Sequence, residues 1–184
     1  QVRIKRQSIG SKHASWVINP SSITKDSVVY SFGVGTNITF DLGMIQQYHT
    51  TVHAFDPTPN SITWLEQQEV PENFIFHPYG IAETNGKIEM FLPEPGNYTS
   101  ASIVNNMLQT TKKVEVDVFD LTTIMNKLGH NHIDLLKMDI EGAEYGVINH
   151  IVSNNIKINQ ILIEFHHRFP VIGIEKTKWA VKVL

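Results

Sequence analysis

Val28-Val29-Tyr30-Ser31-Phe32-Gly33-Val34-Gly35-Thr36-Asn37-Ile38, followed by a second apolar run at Thr51-Val52-His53-Ala54-Phe55 that Asp56 closes, reads as strand, glycine turn, helix, strand and acid. A strand buried on both faces of a parallel sheet is apolar throughout, where a half-exposed strand would alternate. Ile38, Leu42 and Ile45 recur at helical spacing, which predicts a helix over Asn37–Gln47 packed on the sheet. In open parallel sheets a ligand sits outside the carboxyl ends of the strands, where glycines let the backbone approach it and a carboxylate takes ribose hydroxyls. Asp56 stands 21 residues beyond Gly35, near the interval of roughly 20 expected of a ribose-binding acid. Paired glycines also serve ordinary tight turns; here the flanking strands and Asp56 point to a nucleotide-type cofactor. A nicotinamide fingerprint fits less well, because its third glycine would fall where Ile38 stands.

A chain of 184 residues, 41% hydrophobic and 18% charged, suits one α/β domain with a substantial core. The expected organisation is a lead-in over residues 1–27 and a Rossmann-like core over 28–184, with both ends open to being incomplete. A net charge of −3 leaves no electrostatic footprint for nucleic acid. Neither a bilayer-spanning apolar run nor a signal-peptide pattern is present in these residues, so no membrane partner is expected. Zero cysteines remove any dependence on disulfides and lean toward a reducing compartment, with cytoplasmic location as the expectation.

Along the chain, Thr58 and Pro59 open a second helix with Ile62 and Leu65 on its buried side, and Phe74–His77 is a third strand. Asn85-Gly86 between Ile81-Ala82 and Lys87–Phe91 has the composition of a hairpin inserted after that strand. Residues from Pro93 to Thr111 read as a long loop, of the kind that serves as a lid. Lys113–Phe119 alternates like a strand with one wet face. Asp120 caps a helix carrying Leu121, Ile124, Met125 and Leu128, which Gly129 ends. Ile133–Met138 and Ile161–Ile163 are further strands, Val147, Ile148 and Ile151 mark a helix between them, and a last helix begins near Glu175.

Three clusters therefore fall at strand carboxyl ends: Gly33, Gly35 and Asp56; Asp139, Glu141 and Glu144 with Lys137 just inside the strand; and Glu164, His166 and His167. Titratable groups converging on one edge are what acid/base chemistry requires. Blander readings exist for each. Asp139 and Glu141 suit the start of a helix, whose dipole favours carboxylates, and either histidine could be a surface or satisfied buried residue. Asp139, Glu164 and His166 have donor types that suit a cation, but no tight ligand spacing supports one and no metal is expected. His77, His130 and His132 are assigned no role.

Tyr30-Ser31-Phe32-Gly33-Val34-Gly35, His53-Ala54-Phe55-Asp56-Pro57-Thr58-Pro59, His77-Pro78-Tyr79-Gly80, Asp134-Leu135-Leu136-Lys137-Met138-Asp139-Ile140-Glu141-Gly142-Ala143-Glu144 and Glu164-Phe165-His166-His167-Arg168-Phe169-Pro170 resemble, in order, the motifs of the FkbM family of methyltransferases. The likeness runs from Trp16 onward, and Lys-x-Asp-x-Glu-Gly-x-Glu is its most specific part. It implies a class I fold, with a doubly wound, mostly parallel sheet, and S-adenosylmethionine as cofactor. It also implies O-methylation of hydroxyls on sugars or other secondary metabolites, so the expected partner is a small-molecule or glycan acceptor. Carried over, Gly33 and Gly35 would face the methionine part, with Phe32 and Asn37 in the same turn among the cofactor-binding residues. Asp56 would take the ribose, Tyr79 and Gly80 would lie near the adenine, and Asp139 would stand at the centre. Two positions depart from the family: Ser31 replaces the usual acid and Asn37 the usual third glycine. The similar fold would also end in an antiparallel strand pair, which this chain stops short of.

The implied chemistry is in-line methyl transfer to a hydroxyl, and a base must take the hydroxyl proton. His166 is the first candidate, then Asp139 or Glu164. Glu141, Ser100, Ser102 and His167 are the expected acceptor-binding residues, with the loop from Gly96 to Ser102 closing over the acceptor. A nicotinamide oxidoreductase and a non-catalytic scaffold that keeps the fold are the rival readings.

Overall fold

The computed structural model describes residues 5–12, 14–92, 112–169 and 172–184. Two short strands, β1 (Gln7–Ile9) and β2 (Trp16–Ile18), pair antiparallel at the start. The chain then winds through β3 (Val29–Phe32), α1 (Thr39–Tyr48), β4 (Val52–Phe55), α2 (Pro59–Leu65) and β5 (Phe74–His77). An excursion follows, comprising β6 (Gly80–Ile81), β7 (Gly86–Phe91), β8 (Lys113–Phe119) and α3 (Leu121–Leu128). The chain returns as β9 (Leu135–Met138), α4 (Glu144–Ser153), β10 (Ile161–Ile163) and α5 (Ile174–Val183). β10-β9-β3-β4-β5 form one sheet, parallel at every pairing. The expected Rossmann-like, doubly wound α/β architecture is the one observed.

Both faces of this sheet are covered because successive side chains point opposite ways. Tyr30, Phe32, Phe55, Leu136 and Met138 join Ile124 of α3 and Val147 and Ile148 of α4 in one buried cluster. Val29, Val52, Ala54 and Leu135 pack with Met44 and Ile45 of α1 and with Ile9 and Ile18 of the β1–β2 pair in the other. Each such large side chain contributes roughly 1.5–3 kcal/mol by leaving water, so β3 and β9, buried throughout and apolar except at Ser31 and Lys137, sit centrally.

Three expectations change in detail. Ile81-Ala82 and Lys87–Phe91 do not pair with each other, because β8 lies between β6 and β7, parallel to the first and antiparallel to the second. The apolar faces select that partner: Ile88 stands opposite Val116 and Met90 opposite Val114, with Met90, Val116 and Val118 buried. Exposed Lys87–Glu115 and Lys113–Glu89 ion pairs at 3.0 and 2.8 Å add little to this. The lead-in forms the β1–β2 pair and contributes to the core. In α1 the buried side chains are Phe40, Asp41, Met44 and Ile45, and Leu42 is only half-buried. The loop expected from Pro93 to Thr111, with Ser100 and Ser102, lies outside the described residues.

Of the histidines left without a role, His77 and His130 join the aromatic packing on one sheet face, whereas His132 is exposed, its Nε2 3.4 Å from Asp134 Oδ2. Phe32, Phe55 and His77 stack in series, with ring centroids 4.2 and 4.6 Å apart, and His77 Nε2 meets His53 Nδ1 at 3.1 Å. Burial pushes His53 down to about 4. Among the described residues no helix is long and apolar enough to cross a membrane.

Candidate active site

The loops leaving β3 and β9 touch. Gly33 turns with φ +77°, and a Cβ there would stand 1.7 Å from the Asp139 carbonyl oxygen, so only glycine permits the approach. Gly35, at φ +56°, has nothing within 4 Å of a built Cβ and faces open space. Gly33→Ala is therefore expected to unfold the turn or displace the β9 loop. Gly35→Ala is expected to add only left-handed strain of roughly 1–2 kcal/mol. Thermal denaturation of both variants checks this, and equal melting temperatures would contradict it.

Asp56 ends β4 buried. Its Oδ2 accepts from Gly35 N at 2.9 Å, and its Oδ1 accepts from Thr58 N at 2.9 Å and Thr58 Oγ1 at 2.6 Å. The carboxylate thus fixes the glycine turn, and a carboxylate has about four acceptor positions, which leaves Oδ2 able to take a hydroxyl. Open space at Gly35 beside an anchored acid at the end of β4 suits a nucleoside with its ribose at Asp56. The other expected cofactor residues are placed as follows. Phe32 is a core residue whose carbonyl accepts from Asp139 N at 3.1 Å. Asn37 is exposed, and its Oδ1 is taken up locally by Thr39 N and Oγ1. Tyr79 packs edge-on to Phe119, and Gly80 is buried, with room for a Cβ only 3.1 Å from Pro57.

Behind the glycine turn, Lys137, which the sequence placed just inside the strand, meets two partners that the sequence reading left unassigned, Trp16 and Asp41. Lys137, buried in β9, donates to the Gly33 and Phe32 carbonyls at 3.2 and 3.4 Å, and its ammonium stands 5.3 Å from the Trp16 ring centroid. Asp41 of α1 lies near it, fully buried. Burial pushes the Asp41 carboxyl up, against the pull of the Lys137 ammonium and the Ser31 hydroxyl. An acidic side chain thus reaches the layer beneath the glycines from α1, beside Ser31. Its signal in the sequence was position, since Ile38, Asp41 and Ile45 lie on one stripe of the helix.

At the end of β9, Asp139, Glu141 and Glu144 surround His166, which the loop after β10 brings back to them. His166 Nδ1 lies 2.7 Å from Glu144 Oε1, and its Nε2 lies 3.3 Å from Glu141 Oε2 and 3.8 Å from Asp139 Oδ1. Glu144 is fully buried and also accepts from Gly142 N at 3.1 Å and Ile140 N at 3.3 Å, holding a loop in which Glu141 adopts φ +51°. Burial alone would lower the His166 imidazole. The hydrogen bond to Glu144 and the charges of Glu144, Glu141 and Asp139 outweigh it and raise the ring to about 9. Carboxylates that favour the protonated ring make His166 a poor proton acceptor at neutral pH. Burial, opposed by Lys137 and reinforced by Glu164 and Glu141, raises the Asp139 carboxyl to about 6.

Asp139, Glu141 and His166 bring donor atoms within 4.8 Å of one another, which is close enough for a cation. Protonated His166 itself supplies positive charge to both carboxylates. Glu164 is exposed on the far side of Asp139, where it helps line a cleft, and His167 Nδ1 is buried with no hydrogen-bond partner among the described residues.

A family model described as methyltransferase FkbM domain matches residues 28–177. Two curated relatives are similar: "Probable methyltransferase-like protein 24" of Rattus norvegicus, 28% identical over 86% of this chain and 38% of that protein, and its counterpart in Homo sapiens, 29% identical over 79% and 34%. The chain thus spans less than two-fifths of the length of these relatives. No solved structure matches significantly.

Proposed function

This chain belongs to the FkbM methyltransferase family, and on that premise we propose that it binds S-adenosylmethionine at the carboxyl ends of β3, β4 and β9 and O-methylates a hydroxyl of a small-molecule or glycan acceptor. When bound, the cofactor supplies a methyl group on a sulfonium, an electrophile that needs no acid to activate it. What remains for the protein is alignment, which can contribute roughly 7–11 kcal/mol, and removal of the hydroxyl proton. Gly33 and Gly35 would face the methionine part of the cofactor, Asp56 would take its ribose, and Asp139 takes the hydroxyl proton. The observation that carries this reading is the Asp139 carboxyl, raised to about 6 by burial where the β9 loop meets the glycine turn. A base works best with its pKa near the working pH, which favours Asp139 over the cationic His166. His166 holds Asp139 and Glu141 in place, and Glu164 belongs to the acceptor side.

Calorimetric titration with S-adenosylhomocysteine tests the cofactor assignment. Asp56→Ala is expected to weaken binding roughly 10- to 100-fold, the scale of a lost hydrogen bond to a charged group, and unchanged affinity would sink the ribose assignment. The scaffold reading draws support from Asp56, whose two oxygens already carry internal bonds; a wild-type protein that does not bind the probe would favour it.

A further inference from the structure

Ala14, Ser15 and Trp16, at the junction of β1 and β2, stand across from Asp139, Ile163 and Glu164, and together they line a cleft of about 280 Å³. This cleft lies on the β10 side of Asp139, whereas the glycine turn and Asp56 lie on the β3 and β4 side. Its outer wall comes from the lead-in, which is outside the family match at residues 28–177. Trp16 is half-buried, and Lys137 sits 5.3 Å from its ring centroid.

We propose that Trp16 and Glu164 select the acceptor, Trp16 as the platform for an uncharged ring and Glu164 as the carboxylate that turns anionic rings away. The proposal rests on the methyl-transfer reading of Asp139. An indole face suits the C–H face of an alicyclic or sugar ring, and hydroxyls at the ring edge can donate to the Glu164 and Asp139 carboxylates in charge-assisted hydrogen bonds. An acceptor carrying its own carboxylate would meet two like charges at close range in a partly desolvated cleft. A cation over the indole would meet the ammonium of Lys137, already in contact with that ring. A neutral, hydroxylated ring is the chemistry that remains.

The test is an NMR titration of the protein loaded with S-adenosylhomocysteine, using methyl glucopyranoside, methyl glucuronopyranoside and methyl glucosaminide as probes. The neutral glycoside is expected to bind most tightly. Trp16→Ala should weaken it roughly 5- to 10-fold, the scale of one aromatic contact, and Trp16→Phe should restore most of the loss. Glu164→Gln, at an exposed position that leaves the fold untouched, should narrow the gap between neutral glycoside and glucuronide roughly 3- to 5-fold. Equal binding of neutral glycoside and glucuronide, an unchanged affinity in Trp16→Ala, or no binding of any probe overturns the proposal. Calorimetry on the same samples reads S-adenosylhomocysteine separately: its failure to bind wild type defeats the methyl-transfer reading, and its retention in Trp16→Ala shows that the fold survives.

Discussion

Replacing Asp139 with asparagine is expected to lower kcat roughly 10²- to 10⁴-fold, the range for loss of a general base, with cofactor affinity far less affected. Asparagine keeps the shape of the side chain and cannot take a proton. In the wild-type protein kcat/KM should rise with pH through about 6, as Asp139 ionises, and fall near 9, as His166 loses the proton that holds its carboxylates together. The groups lie within 4 Å of each other, so the two limbs belong to the cluster as a unit. Asp139→Asn should erase the lower limb. Turnover that survives the substitution, or a rate still independent of pH between 5 and 7, would remove Asp139 from the base role.

Glu144→Ala is expected to be the most destabilising change at the site. Its carboxylate is fully buried between the His166 imidazolium and the amides of Ile140 and Gly142. Breaking a buried ion pair by removing one partner costs on the order of 3–5 kcal/mol, or roughly 10 °C in melting temperature for a chain of this size. Glu144→Gln isolates the charge. Because His166 titrates near 9 when folded and near 6.5 when unfolded, the stability it contributes is fully present below about 6.5 and is lost as pH rises through 9. That slope should flatten in Glu144→Gln, and the His166 titration followed by NMR should move down toward its ordinary value. An unmoved His166 would show that Glu144 does not hold it charged.

Much of this was legible in the sequence because it depends on local pattern. The apolar runs of β3 and β9, the Asp120 cap, which accepts from Thr123 N at 2.7 Å, and the left-handed Gly129 that ends α3 are each set by a few adjacent residues. Gly33, Asp56 and Asp139 could be placed because strand ends in a parallel sheet converge on one edge. What could not be read depends on pairing across distance. β8 beats the nearer partner for β7 through its valine face, and Trp16 reaches the site only because the β1–β2 pair packs beside β10. The charge of His166 follows from three carboxylates far away in sequence, Asp139 and Glu141 on the loop after β9 and Glu144 at the start of α4, so imidazole alone suggested a base where the neighbours favour a cation. Glu144 did leave a signal: it precedes Val147, Ile148 and Ile151 at helical spacing, which puts a carboxylate on the buried stripe of α4.

The central position of β3 also bears on how the molecule assembles. One flank of β3 finds its neighbour in β4 soon after the ribosome has made it, but the other waits for β9, more than a hundred residues later. Until that strand emerges, Tyr30 and Phe32 have half their surroundings and β3 has an unzipped margin. Long sequence separation between partners slows folding and prolongs exposure of such margins. Truncations that end before Met138 should therefore precipitate instead of yielding a stable half.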